Sequence, residues 1–126
     1  MSNFNNELHT ITLSDDGSFT AYSKEYNEHY HSTKDGALHE SLSKHILPAL
    51  KHTINKKEIY ILDICFGLGF NTLATLLHVE TDKKLFIYSP EFDKELIESL
   101  KDFTYPPEFE KLKDIVLTLA KYKKYE

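Results

Sequence analysis

A carboxylate and two glycines stand at alternate positions in Asp63-x-Cys65-x-Gly67-x-Gly69. Glycines spaced this way let backbone N–H groups approach a ligand at the start of a helix, where the positive end of the helix dipole favours anionic and polar nucleotide atoms. Further along lies Glu91, a carboxylate with acceptor capacity for both hydroxyls of a ribose. Together these residues point to a nucleotide-type cofactor, with a purely structural tight turn as the alternative. A dinucleotide fingerprint, G-x-G-x-x-G, would need Gly or Ala at its third position. Counting from Gly67 that position is Thr72, so nicotinamide and flavin cofactors lose ground.

The better match is the acidic-x-Gly-x-Gly-x-Gly turn associated with S-adenosylmethionine, except that Cys65 stands where the first glycine usually does. In that reading Asp63 lies near the cofactor's ammonium end and balances its charge, although an Asp also braces such turns without any ligand. Nothing in the spacing pairs Cys65 with a base, and a buried cysteine behaves as a small hydrophobe, so an inert thiol is expected. His29 and His31 share one side of an extended segment, as two metal ligands would, but no third ligand follows at a recognisable spacing and no metal is expected.

These residues need elements to hold them. Residues 58–64 (EIYILDI) are rich in β-branched and aromatic side chains and nearly continuously apolar, which predicts a central parallel strand buried on both faces. That strand runs into the glycine turn. Asn71 or Thr72 is expected to cap a helix carrying Leu73, Leu76 and Leu77, and residues 85–89 read as the next strand, completing a βαβ unit with Glu91 at its tip. Asp93 then caps a helix with Leu96, Ile97 and Leu100 on one face. Pro106-Pro107 separates it from a last amphipathic pattern, Phe109, Leu112, Ile115, Val116 and Leu119. Upstream, residues 8–13 and 19–22 read as a hairpin around Asp15-Asp16-Gly17-Ser18. Residues 37–50 read as an amphipathic helix that Pro48 bends or restarts.

The totals bound the function. A chain of 126 residues holds one core of ordinary size. With 40% hydrophobic and 28% charged residues it reads as globular, and its longest apolar stretch is broken by Asp63, the glycines and Asn71, so no membrane span is expected. Residues 1–6 lack the pattern of a signal peptide, and a single cysteine suits a reducing compartment, so a cytoplasmic protein is expected. The net charge of -5 opposes nucleic acid on average, which argues against DNA as a partner and requires any RNA contact to be local. Lys51, His52, Lys56 and Lys57 form the best basic cluster, with Lys121, Lys123 and Lys124 second; each also reads as a solvated helix end or loop.

Four blocks in order, Ser14-Asp15-Asp16-Gly17-Ser18-Phe19-Thr20, Glu28-His29-Tyr30-His31-Ser32, Gly36-Ala37-Leu38-His39-Glu40-Ser41 and Leu62-Asp63-Ile64-Cys65-Phe66-Gly67-Leu68-Gly69-Phe70-Asn71-Thr72, resemble the MnmC-like tRNA wobble-uridine methyltransferase domain. The resemblance covers residues 10–93. It implies an α/β chain in which residues 1–57 form a hairpin and packing helix and residues 58–126 the first half of a Rossmann-like methyltransferase domain. It implies S-adenosyl-L-methionine as cofactor, held by Asp63, Phe66, Gly67, Gly69, Asn71 and Glu91. Tyr30, His31, Gly36 and Glu40 would cover that cofactor or shape its pocket. The implied reaction methylates the exocyclic amine of 5-aminomethyl(-2-thio)uridine in tRNA to the 5-methylaminomethyl form. In bifunctional relatives the domain is fused to a flavin-dependent oxidase; here the stand-alone type is expected, with the oxidase or another partner chain acting upstream.

The family's catalytic carboxylate lies in an Asp-x-Phe block followed by a Pro-Glu-Leu-Trp-like segment, and neither is present in this sequence. No catalytic residue is therefore assigned. The chain is expected to be a truncated enzyme or, alternatively, a non-catalytic module that binds cofactor or partner.

Overall fold

The computed structural model describes residues 7–126; the signal-peptide reading of residues 1–6 lies outside them. Strands β1 (His9–Leu13) and β2 (Phe19–Ser23) pair antiparallel, with Ile11 opposite Ala21. A short strand, β3 (Glu28–His29), lies in the segment read as extended and joins the other edge of β2. The hairpin turn closes with the Ser14 N–H donating to the Ser18 carbonyl at 2.8 Å.

Asp16 ties this turn to the helix that follows. Its carboxylate accepts from the Ser18 N–H at 2.9 Å, from the Ser18 hydroxyl, and from the His39 N–H at 3.0 Å. Burial raises the Asp16 carboxyl, but these hydrogen bonds outweigh burial and hold it below the ordinary carboxylate range. Gly36 is what lets the carboxylate in. It has φ +89°, and any Cβ there would run into the Asp16 side chain.

The helix runs from Ala37 to His52 in three parts: α1 (Ala37–Glu40), a π-helical stretch Ser41–Ile46, and α2 (Leu47–His52). Proline has no N–H, so Pro48 cannot continue the i to i−4 ladder. The turn before it widens instead, and the Leu47 N–H donates to the Leu42 carbonyl five residues back. The expected bend at Pro48 is thus a change of helical pitch in the preceding residues.

Strand β4 (Glu58–Leu62) pairs in parallel with β5 (Lys84–Tyr88), and α3 (Phe70–His78) connects them. The cap of α3 differs from expectation: Gly69, left-handed at φ +82°, precedes the helix, while Asn71 and Thr72 lie inside its first turn. Burial of β4 also differs. Ile59 is buried, but Tyr60 and Leu62 are 71% and 64% exposed, as are Phe86 and Tyr88 of β5 at 48% and 71%. Among the described residues this sheet has two strands, and Tyr60, Leu62, Phe86 and Tyr88, which made the segment look doubly buried, lie on an exposed face.

Helix α4 (Lys94–Ser99) begins at Asp93, whose side chain accepts from the Leu96 N–H as expected of its cap. A 3-10 segment, Pro107–Leu112, leads into α5 (Lys113–Tyr122). The centre of the molecule is aromatic: Phe70 of α3 is surrounded by Phe103, Tyr105 and Phe109 at 6.2, 5.9 and 5.6 Å between ring centroids. Leu68, Leu73, Leu96, Leu100 and Val116 complete this core, all essentially inaccessible to solvent. Burying rings of this size is the dominant favourable contribution to a small fold. Among the described residues no helix is long and apolar enough to cross a membrane.

Candidate functional site

The glycine turn leaves β4 through three left-handed residues, Cys65, Gly67 and Gly69, at φ +70°, +58° and +82°. A non-glycine residue at such an angle carries about 1–2 kcal/mol of strain, so the conformation of Cys65 must be imposed by its surroundings. The Phe66 N–H donates to the Pro90 carbonyl at 3.1 Å, which ties the turn to the end of β5. Behind the turn, the Tyr105 hydroxyl donates to the Leu68 carbonyl at 2.6 Å. This buried contact locks the aromatic core to the loop, and burial drives the Tyr105 phenol well above its ordinary range.

Glu91 sits where the sequence placed it, at the tip of β5. Its Oε1 accepts from the Gly67 N–H at 2.8 Å, and its Oε2 accepts from the Phe92 and Asp93 N–H groups at 3.1 and 3.0 Å. A carboxylate offers about four lone-pair sites. Three are taken by backbone, so Glu91 braces the glycine turn and keeps one acceptor direction free.

Asp63 is equally engaged. It accepts from the Asn71 side-chain amide at 3.0 Å and from the Ser89 hydroxyl at 3.3 Å, while the same hydroxyl donates to the Asp63 carbonyl at 2.8 Å. With its amide nitrogen turned toward Asp63, Asn71 leaves Oδ1 buried and, among the described residues, without a hydrogen-bond partner.

The N-terminal segment meets this turn in a cleft of about 200 Å³ lined by Tyr30, His31, Glu40, His45, Ile64, Cys65, Phe66, Gly67 and Asn71. An adjoining groove of about 300 Å³ shares His45 and Asn71 with it and reaches Asp63, Thr72 and Leu50. His31 Nδ1 lies 3.3 Å from Glu40 Oε1, and the other Glu40 oxygen accepts from the Ser32 N–H at 3.1 Å. Burial pushes the His31 imidazole below its ordinary range, and the neighbouring Glu40 carboxylate only partly offsets this. The ring is therefore neutral at neutral pH, with its proton on the nitrogen that faces the carboxylate.

Tyr30 is fixed by its hydroxyl, which donates to Asp93 Oδ2 at 2.7 Å, and the same oxygen meets His9 Nε2 at 2.8 Å. Desolvation and the bond to Asp93 raise the Tyr30 phenol beyond its normal range. Burial raises the Asp93 carboxyl in turn, but the bonds from Tyr30, the Leu96 N–H and His9 outweigh it and lower the group overall. The first strand, the Tyr30 segment and α4 are thereby pinned at one buried carboxylate.

Tyr30, His31, Phe66, Gly67 and Asn71 thus converge, with Glu40 beside them. Asp63 reaches the cleft through Asn71, Glu91 lies behind the Gly67 peptide, and Gly69 serves as the helix cap, packed on the Phe66 ring. Gly36 is not among the residues lining the cleft and lies against Asp16, with its carbonyl accepting from the Glu40 N–H at 2.9 Å. Cys65, expected to be buried, is exposed on the cleft wall. The His29 ring meets the Tyr22 ring in a tilted contact, 5.0 Å between centroids with 60° between the planes, and among the described residues no group of three possible metal ligands is present. His45, Tyr105 and the His9–Asp93 pair carry no local motif. They are brought in by tertiary contact alone.

No protein-family profile matches the chain. Its structure is similar to the crystal structure of MnmC2 from Aquifex aeolicus, with a TM-score of 0.79 and 33% identity, covering 99% of this chain and 41% of that one. An uncharacterized protein of Methanocaldococcus jannaschii is 33% identical over 70 residues, which is 56% of this chain and 19% of that protein. The chain spans less than half the length of either.

Proposed function

We propose, on the premise that this chain is an MnmC-like domain, that it forms the S-adenosylmethionine-binding part of a Rossmann-like methyltransferase acting on wobble uridine of tRNA. The observation that carries this reading is the cleft in which the Tyr30-His31 segment and Glu40 face the glycine turn, two regions far apart in sequence.

The residues present suit such a cofactor. Asn71 Oδ1 is a buried acceptor without a partner among the described residues, and a desolvated acceptor of this kind costs about 1–3 kcal/mol unless something donates to it. Glu91 has one acceptor direction left for a ribose hydroxyl, and Glu40 and Asp63 place two carboxylates in the region, the group type that a sulfonium and an ammonium favour. When bound, S-adenosylmethionine would supply the methyl group. The chain's own part is to position: Glu91 holds the Gly67 N–H, Tyr105 holds the Leu68 carbonyl, and Asp93 holds Tyr30. The acceptor amine would be that of 5-aminomethyl(-2-thio)uridine, becoming 5-methylaminomethyl(-2-thio)uridine. No residue of this chain is assigned to move the amine's proton, because the family's Asp-x-Phe block is absent from the sequence.

Isothermal titration with S-adenosylmethionine, beside NAD and beside the Glu91→Ala variant, tests the proposal. Saturable binding of S-adenosylmethionine alone, weakened by the substitution, is expected. A folded chain that takes up neither compound, or prefers NAD, removes it.

A further inference from the structure

The uncovered face of the β4–β5 pair has an ordered composition. Register places Glu58 beside Lys84, Tyr60 beside Phe86 and Leu62 beside Tyr88, and the alternation of the strands sends all six to the same side. Glu58 and Lys84 approach to 3.8 Å, and the rings of Tyr60 and Phe86 stack at 4.7 Å with 9° between their planes. The face thus has one acid and one base at its lower end and four large apolar side chains above them, each 48% to 71% exposed. Parallel strands are ordinarily covered on both faces.

We propose that this face pairs with a second copy of the chain through a twofold axis lying along the strands. Such an axis keeps the strands of the two copies parallel and lays β4 of one over β5 of the other. Every level then meets its complement: Glu58 faces Lys84 of the second copy, Tyr60 faces Phe86, and Leu62 faces Tyr88. A twofold axis across the strands would instead set the charged level against the apolar end. The four apolar side chains expose on the order of 500 Å² per copy, since large side chains of this kind bury about 150–250 Å² each. Two copies together reach about 1,000 Å², the lower limit of a specific interface, so a reversible dimer is expected rather than an obligate one.

Sedimentation equilibrium of the whole chain from about 1 µM to about 1 mM measures this directly. The weight-average mass should climb toward twice that of one copy, and Phe86→Glu, with its circular dichroism unchanged, should hold it at one. A second measurement separates charge pairing between copies from any effect on the fold. Glu58→Lys makes the level wholly basic and Lys84→Glu makes it wholly acidic, so each variant alone should dimerise at least tenfold more weakly. An equimolar mixture should regain the parent affinity or exceed it, because unlike levels then face each other while the pair within each copy stays alike in sign. A parent chain that remains at the mass of one copy throughout overturns the proposal and leaves the face to a different polypeptide. So does a mixture no tighter than its components.

Discussion

Gly17 and Gly69 have nearly the same backbone, φ +84° and +82°, in very different surroundings. An added Cβ at Gly17 meets nothing within 4 Å, whereas at Gly69 it would lie 2.8 and 3.1 Å from atoms of the Phe66 ring. Gly17→Ala therefore isolates the left-handed backbone penalty, about 1–2 kcal/mol. Gly69→Ala adds crowding inside packed structure, about 1–3 kcal/mol more. Urea unfolding of both variants, with Phe66→Ala alone and combined with Gly69→Ala, completes a double-mutant cycle. Gly69→Ala should be the costlier by about 1–3 kcal/mol, and that excess should vanish in the Phe66→Ala background. Equal costs at the two glycines, or no coupling to Phe66, would refute the idea that ring contact fixes the turn.

The Asp93 carboxyl is lowered in the fold, so its contribution is present above the ordinary value of 3.8 and is lost as pH falls below it. Asp93→Asn should be less stable at pH 7 by about 1–3 kcal/mol and show a shallower loss below pH 4 than the parent, read from urea midpoints. His31 is lowered by burial, so the unfolded chain binds the proton more readily and stability falls as pH drops below 6.5. In an NMR titration the His31 ring should have its midpoint below 6.5, and Glu40→Gln should move it lower still; a midpoint above 6.5 contradicts the assignment. Cys65, exposed on the cleft wall, should react with a thiol reagent in the folded chain, and saturating S-adenosylmethionine should slow the reaction at least tenfold if the cofactor occupies the cleft.

The parts of this fold legible in the sequence are those set by local chemistry. The hairpin follows from alternation around Asp15-Asp16-Gly17, the turn after β4 from Gly67 and Gly69, and the start of α4 from Asp93. A glycine also explains what was misjudged: Gly69 accepts the left-handed cap conformation, which frees Asn71 to bind Asp63 instead of ending the helix. Apolar content could not distinguish a covered from an uncovered strand face, because Tyr60 and Phe86 have the same composition in either setting. The Tyr30–Asp93–His9 meeting joins residues 63 and 84 positions apart, and the Tyr105 bond to Leu68 spans 37. Pairings of that range have no periodicity to mark them. Within the site, the turn and Glu91 were readable as a pattern, but the engagement of Glu91 by backbone N–H groups was not.

In the proposed function one cleft, formed by the glycine turn and the Tyr30–Glu40 region, receives S-adenosylmethionine. Two-dimensional amide NMR of the labelled chain, titrated with the cofactor, tests it most directly. Saturable shifts concentrated at Tyr30, His31, Glu40, Phe66, Gly67 and Asn71 are predicted. Shifts confined to the neighbouring groove around Ala49, Leu50 and Thr75, or none at all in a folded chain, would contradict it.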